Sequence, residues 1–330
     1  MPATGFTEAC IASSVAKTAD TCPLWLRIAA ALVRQLPVGR YRATAFLARR
    51  VAKPFLARLP AAGGLWFQCD ARDASAAQAY FAGAYEPQET ALIKAVLVPD
   101  STFVDVGANW GYYTLLAAQH VGARGSVIAI EPDPRMCAAL RANLALNGFS
   151  KVAVLEIAAA EHRGTLPLLA FDPAGGNYGV SRLADPGSEP ISSMAVAARP
   201  LDDVLVDLGL TRVSLLKMDI EGGEAAALAG LRKSLEAGIV ERILLEVHPR
   251  ELEKLGTSAD EVFELLRGAG YQGWAIDHSP RASRRAAYAR RLVAQEYLRP
   301  FHPGQPLDAW PHLLWTRTGK DLLPLKPAPS

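Results

Sequence analysis

Residues 102–111 read Thr-Phe-Val-Asp-Val-Gly-Ala-Asn-Trp-Gly. Phe103, Val104 and Val106 are β-formers in an apolar run, the mark of a strand buried in a parallel sheet. A glycine turn follows at Gly107 and Gly111, and a helical pattern opens at Tyr112, carrying Leu115, Leu116 and Ala118 toward His120. Strand, glycine turn and helix in that order bring a nucleotide-like ligand against backbone N–H groups. Glycine suits the turn because a Cβ would block close approach or a positive φ. The glycines stand as G-x-x-x-G, whereas a dinucleotide fingerprint needs G-x-G-x-x-G and a phosphate loop ends in Gly-Lys-Ser/Thr. The turn is therefore not built for a pyrophosphate.

Outward from this strand the pattern alternates strand and helix, which predicts a doubly wound parallel sheet. Strands are expected near 102–106, 126–130, 152–157, 213–218 and 243–247. Helices are expected near 111–121, 133–146, 200–208, 222–236 and 258–269. Segments 273–276 and 312–316 complete a seven-stranded count. Asp133-Pro134 caps the second helix and Asn147-Gly148 closes it. Glu131 stands at the end of the 126–130 strand, where a carboxylate can accept both ribose hydroxyls of an adenosine. Residues 164–199, rich in Gly, Pro and Ser, read as a long functional loop.

Upstream, residues 1–22 read as poorly ordered, and 23–85 as a helical extension with a short strand at 65–70. The expected globular domain runs over 86–320, with a tail at 321–330. Leu24, Ile28, Ala31, Leu32 and Gln35 follow the 3.6-residue period. Arg27 and Arg34 break this run, and it is too short to span a bilayer. It reads as an amphipathic helix packed on the domain, with a membrane-surface helix as the alternative. A second helical piece is expected over 41–59, interrupted near Pro54.

Half of the 330 residues are hydrophobic and 21% are charged, an ordinary soluble composition with ample material for a core. A net charge of +2 points to neither nucleic acid nor membrane as a bulk partner. Cys10, Cys22, Cys69 and Cys137 are scattered without a C-x-x-C pair, as expected of reduced thiols in a cytoplasmic protein. Residues 1–20 lack the basic and apolar regions of a secretory signal.

A second informative stretch is Lys217-Met218-Asp219-Ile220-Glu221-Gly222-Gly223-Glu224. An apolar strand delivers Asp219 to the carboxyl edge of the sheet, and Glu221 and Glu224 follow around a Gly-Gly turn. The next strand ends Glu246-Val247-His248-Pro249, at the same edge, where open α/β sheets bind ligands. Gathering several carboxylates is costly, which favours a functional reading. Glu224 has a structural alternative as an electrostatic helix cap.

Asp105 before the G-x-x-x-G turn resembles the first motif of class I methyltransferases that use S-adenosylmethionine. Residues 102–111, Glu131-Pro132, 217–224 and 246–249 together resemble the FkbM family of these enzymes. The similarity starts at Tyr85-Glu86-Pro87 and Glu89-Thr90, passes through residues 177–181 and Leu201-Asp202-Asp203, and covers about 80–250. The Lys-x-Asp-x-Glu-Gly-x-Glu segment is its most specific mark. The resemblance implies a Rossmann-like α/β fold and methyl transfer to a hydroxyl of a small-molecule, saccharide or secondary-metabolite acceptor. From the charge and the short apolar run, no nucleic-acid partner and no stable membrane insertion are expected.

Such a transfer needs the acceptor oxygen held in line with the methyl carbon and a base for its proton. The expected cofactor set is Asp105, Gly107, Ala108, Asn109, Gly111 and Tyr112, with Glu131 on the ribose and Ile157-Ala158 beside the adenine. The expected acceptor side is Asp219, Glu221, Glu246 and His248, with Glu224, Asn177 and Tyr178 binding substrate. Which residue is the base stays open; His248 is attractive because imidazole titrates near neutrality. No metal is expected, although an Asp/Glu/His cluster can hold a divalent cation. The arginine-rich stretch 280–300 reads as a solvated helix face, with an anionic acceptor as the alternative. A nicotinamide oxidoreductase would share the fold but not this glycine spacing. A silent binding protein would keep Gly107 and Glu131 but need no acidic edge.

Overall fold

The computed structural model describes residues 22–169, 182–183, 193–289, 292–302, 304–305 and 309–323. Helices α1 (Leu24–Gln35) and α2 (Arg40–Ala48) come first. They lead into a hairpin of β1 (Phe55–Leu59) and β2 (Leu65–Cys69). The helical reading of 41–59 is thus corrected in its second half. Pro54 cannot donate a helical N–H, and Phe55, Ala57 and Leu59 alternate inward with the period of a strand. The outward face of α1 also departs from expectation. Leu26, Ala30 and Val33 are buried, whereas the Leu24, Ile28, Leu32 stripe faces solvent.

Short helix α3 (Ala74–Ala77) and helix α4 (Pro87–Val96) precede β3 (Thr102–Val106). Then follow α5 (Tyr112–Val121), β4 (Ser126–Ile130), α6 (Pro134–Leu146) and β5 (Ala153–Leu155). Strands β6 (Ala158–Ala159), β7 (Gly164–Leu169), β8 (Arg182–Leu183) and β9 (Ser193–Arg199) form a separate four-stranded sheet. The expected loop at 164–199 therefore carries strands at both ends. Helix α7 (Leu201–Asp207) leads to β10 (Leu215–Met218). The helix expected over 222–236 is split into α8 (Glu224–Ala229) and α9 (Arg232–Glu236). The break falls at Gly230, where a Cβ would sit 2.1 Å from the Ala160 carbonyl. Strand β11 (Arg242–Glu246), α10 (Pro249–Lys254), α11 (Ala259–Gly268), β12 (Tyr271–Ile276), α12 (Pro280–Tyr288), β13 (Leu298–Pro300) and β14 (His312–Arg317) complete the described chain.

The main sheet has the order β13-β12-β14-β11-β10-β3-β4-β5. Pairings from β11 to β5 are parallel, and β14 enters antiparallel to β11 and β12. The expected seven strands are present, and β13 adds an eighth at the edge. Side chains alternate between two cores. Phe103, Leu215, Leu244 and Leu314 join one cluster with Leu26, Phe55 and Phe67. Val104, Leu216, Ile243, Leu245, Leu313 and Trp315 join the other. Helices α1 and α2 and the hairpin thus share the first core with the sheet. Strand order reverses between β3 and β10, so the crevice beyond their carboxyl ends is the place for a ligand.

Candidate active site

A cavity of about 290 Å³ opens at that reversal. The β3–α5 turn, the ends of β4 and β5, and the turn after β10 wall it. Gly107, Ala108, Asn109, Tyr112, Glu131, Ile157 and Ala158 line it, as do Asp219 and Glu221.

The glycine turn is shaped by packing as well as by access. Gly107 has φ +80°, and a Cβ there would sit 1.9 Å from the Asp219 carbonyl oxygen. Gly111 has φ +98°, and its Cβ would meet Leu140 Cδ1 at 2.4 Å. Gly111 thus lets α5 and α6 approach and does not itself line the cavity. Asp105 also lies off the cavity wall. It is fully buried, accepts the Thr114 hydroxyl at 2.6 Å and anchors the first turn of α5. Burial pushes its carboxyl up, against the pull of Lys217.

Glu131 is 6% exposed. One carboxylate oxygen accepts the N–H of Asn109 at 2.8 Å, and the other that of Asp133 at 2.9 Å. Burial nevertheless pushes its carboxyl up to about 7. Each oxygen retains a further lone pair, so a vicinal diol can be accepted without breaking either backbone bond.

The acidic edge is denser than the sequence motif alone conveys. Lys217 Nζ donates to Asp219 at 3.2 Å and to the Gly107 carbonyl at 3.4 Å, joining the two sides of the cavity. Burial opposes ionisation of Asp219, but Lys217 and His248 outweigh it and hold its carboxyl below the usual range. Glu221 sits in the left-handed region at φ 52° and lines the cavity. Burial pushes its carboxyl up to about 7, despite the attraction of His248.

His248 stands behind these groups and does not line the cavity. Its Nδ1–H donates to the fully buried Glu224 at 2.7 Å, and Nε2 faces Glu221 at 3.4 Å and Glu246 at 3.6 Å. Burial works against the imidazolium, but the Glu224 hydrogen bond and the surrounding carboxylates raise it to about 9. Glu224 also accepts the Gly222 N–H at 3.1 Å, so it shapes the turn that presents Glu221.

Antiparallel β14 and the end of β12 bring His312 and His278 to the same edge. His312 approaches Glu246 at 3.5 Å and Glu89 at 3.1 Å, and His278 lies 2.6 Å from Glu89. Among the described residues, three groups gather potential ligand atoms within 4.8 Å: Asp219, Glu221 and His248; Glu86, Glu246 and His312; Glu89, His278 and His312. Asn177 and Tyr178 lie outside the described residues.

Sequence reasoning assigned no site role to Lys217, Tyr85, Tyr113 or Trp110, all of which line the cavity. Lys217, Tyr85 and Trp110 lay inside quoted motifs, so that signal was available. Asp73, Ser75 and Gln78 also line it. Ser75 Oγ accepts Trp110 Nε1–H at 2.8 Å, which ties the segment after the hairpin to the turn. No pattern in residues 70–80 announces this.

The Methyltransferase FkbM domain model matches residues 105–272, more than half of the chain. The chain belongs to the FkbM methyltransferase family. It is 29% identical over 208 residues to the AMB antimetabolite synthetase AmbE of Pseudomonas aeruginosa, covering 54% of this chain and 10% of that protein. It is 31% identical over 161 residues to the methyltransferase sdnD of Sordaria araneosa, covering 41% and 62%. It is 29% identical over 204 residues to the 31-O-demethyl-FK506 methyltransferase FkbM of Streptomyces tacrolimicus, covering 53% and 74%. The match spans less than two thirds of the length of the first two relatives. The matched residues include most of the cavity lining, from Val106 and Gly107 to Glu221 and Gly223.

Proposed function

We propose that this methyltransferase uses S-adenosylmethionine to methylate a hydroxyl of a saccharide or secondary-metabolite acceptor. One observation carries the reading. A single cavity is lined both by Glu131 and the Gly107–Asn109 turn and by Asp219 and Glu221. The relative FkbM, whose name specifies a 31-O-demethyl substrate, supports oxygen as the accepting atom.

The donor supplies an electrophilic methyl group on a positively charged sulfur. The chain's residues do the rest. Glu131 accepts the ribose hydroxyls, with its oxygens held in place by Asn109 and Asp133. The Gly107–Asn109 turn takes the amino-acid portion, and Ile157 and Ala158 flank the adenine. Glu221 takes the acceptor's proton as the oxygen–carbon bond forms and the carbon–sulfur bond breaks. A carboxyl raised to about 7 suits that task better than the more acidic Asp219. Asp219, fixed by Lys217, orients the acceptor. His248 and Glu224 position Glu221 without touching the acceptor.

This assigns a proton, not a cation, to the acidic edge, because the His248 imidazolium and the Lys217 ammonium supply positive charge there. The test is single-turnover methyl transfer at saturating cofactor, screened over hydroxyl acceptors, with and without chelator. Glu221→Gln should slow the step by about 10²–10⁴-fold, with chelator leaving the wild type unaffected. A Glu221→Gln rate within twofold of wild type would remove the base. A rate abolished by chelator and restored by a divalent cation would hand the cluster to a metal.

A further inference from the structure

We infer that the outward face of α1 and α2 docks on an anionic phospholipid membrane surface. Helix α1 is apolar on two sides. Its inner side, Leu26, Ala30 and Val33, is buried in the core it shares with the sheet. Its outer side presents Leu24 at 67% exposure, Trp25 at 51%, Ile28 at 52% and Leu32 at 60%. Leu24, Ile28 and Leu32 fall at i, i+4 and i+8, on one stripe, with Trp25 beside them. Beyond the helix, Val38 is 54% exposed and Phe46 of α2 57%. A helix of a soluble domain normally turns polar residues outward, and an apolar face of this extent marks a binding surface.

Charge selects the occupant. Residues 22–69 contain eight basic residues and no Asp or Glu, in a chain whose net charge is only +2. Arg27, Arg42, Arg49 and Lys53 are exposed. Arg34 is turned inward, its Nη2 donating to the Tyr80 carbonyl, so α1 is fixed to the body of the molecule. Leu, Ile and Trp on one helix side with arginines around them is the composition of a helix lying in the lipid interface, where apolar burial and attraction to acidic headgroups add. A second copy of this chain fits poorly, since a two-fold contact through this face would set one basic segment against another. Among the described residues no helix is long and apolar enough to cross a membrane, so the mode is docking in the interface plane. The inference stands independently of the acceptor's identity.

The test is flotation of the full chain with vesicles of phosphatidylcholine alone or mixed with phosphatidylserine, at low and high salt. The protein should float with the phosphatidylserine vesicles, less with the neutral ones, and release as salt rises. Two variants separate the contributions: Trp25→Ser/Ile28→Ser/Leu32→Ser, and Arg27→Glu/Arg42→Glu/Arg49→Glu. Each should lower vesicle binding by about tenfold or more, with wild-type thermal unfolding because the positions are exposed. If the apolar variant unfolds early, the charge variant decides. No flotation of the wild type, or flotation unchanged in the charge variant, overturns the inference. So does a dimer in light scattering, without vesicle binding, that the apolar variant dissolves.

Discussion

Glu86, Glu131 and Glu221 all have carboxyls pushed up to about 7, and in each the main cause is burial at the sheet edge. Their neighbours separate their roles. Glu131 is held by two backbone N–H groups, Glu86 accepts the Tyr113 hydroxyl at 2.5 Å, and Glu221 faces His248. Glu131→Ala should weaken S-adenosylmethionine binding by about 1–3 kcal/mol in calorimetry, since the ribose donors lose a charged acceptor. Those donors favour the ionised carboxylate, so wild-type affinity should fall as pH drops below about 7, and Glu131→Gln should flatten the profile. The sign for folding is opposite. The folded protein keeps this proton up to about 7, above the ordinary glutamate value of 4.5, so the site's contribution to stability declines as pH rises between them. At this scale the sequence was informative where a motif residue follows a strand end, as for Gly107, Glu131, Asp219 and Glu221. Asp105 and Gly111 lie off the cavity lining, because motif spacing locates the turn but not which of its residues face the cavity. Asp105 points to Thr114, and Gly111 makes room for Leu140.

At the scale of elements, the β3–α5 turn and the turn after β10 are one packed unit. A Cβ on Gly107 would strike the Asp219 backbone, not merely occupy ligand space. Gly107→Val should therefore destabilise the fold by about 3 kcal/mol or more, read from denaturant midpoints. A normal midpoint with lost cofactor binding would instead make Gly107 a purely ligand-facing position. The strand–helix alternation from 102 onward was legible because the buried parallel strands are nearly continuous apolar runs. The four-stranded sheet was not. Its longer strands, β7 and β9, stand at the ends of a Gly-, Pro- and Ser-rich segment, and their antiparallel pairing over 164–169 and 193–199 leaves no local turn signal. The split between α8 and α9 was equally silent, since it depends on the Ala160 backbone pressing on Gly230.

At the scale of the molecule, antiparallel β14 carries His312 to the acidic edge and leaves its other end beside Glu241. Buried Glu241 is ringed by Arg212 at 2.9 Å, Lys320 at 2.7 Å and Arg242 at 3.2 Å. Burial opposes its ionisation, but Arg212 and Lys320 prevail and lower its carboxyl to about 2. A carboxyl depressed by folding adds stability above its unfolded value near 4.5, and that stability is lost as pH falls toward 2. Glu241→Gln should thus lower the unfolding midpoint at pH 7, and the gap to wild type should close over that acidic window. No motif announces this cluster, since its members come from three stretches far apart in the sequence. The strand–helix alternation was legible, whereas the sheet's order, which puts the crevice between β3 and β10, comes from the structure.

In the proposed function Glu131 serves the cofactor and Glu221 the acceptor. Calorimetric titration of S-adenosylmethionine into the wild type, Glu131→Ala and Glu221→Gln distinguishes the two roles. Affinity should drop by about 1–3 kcal/mol in Glu131→Ala and stay near wild type in folded Glu221→Gln. Undiminished affinity in folded Glu131→Ala, or its loss in Glu221→Gln, would contradict the account.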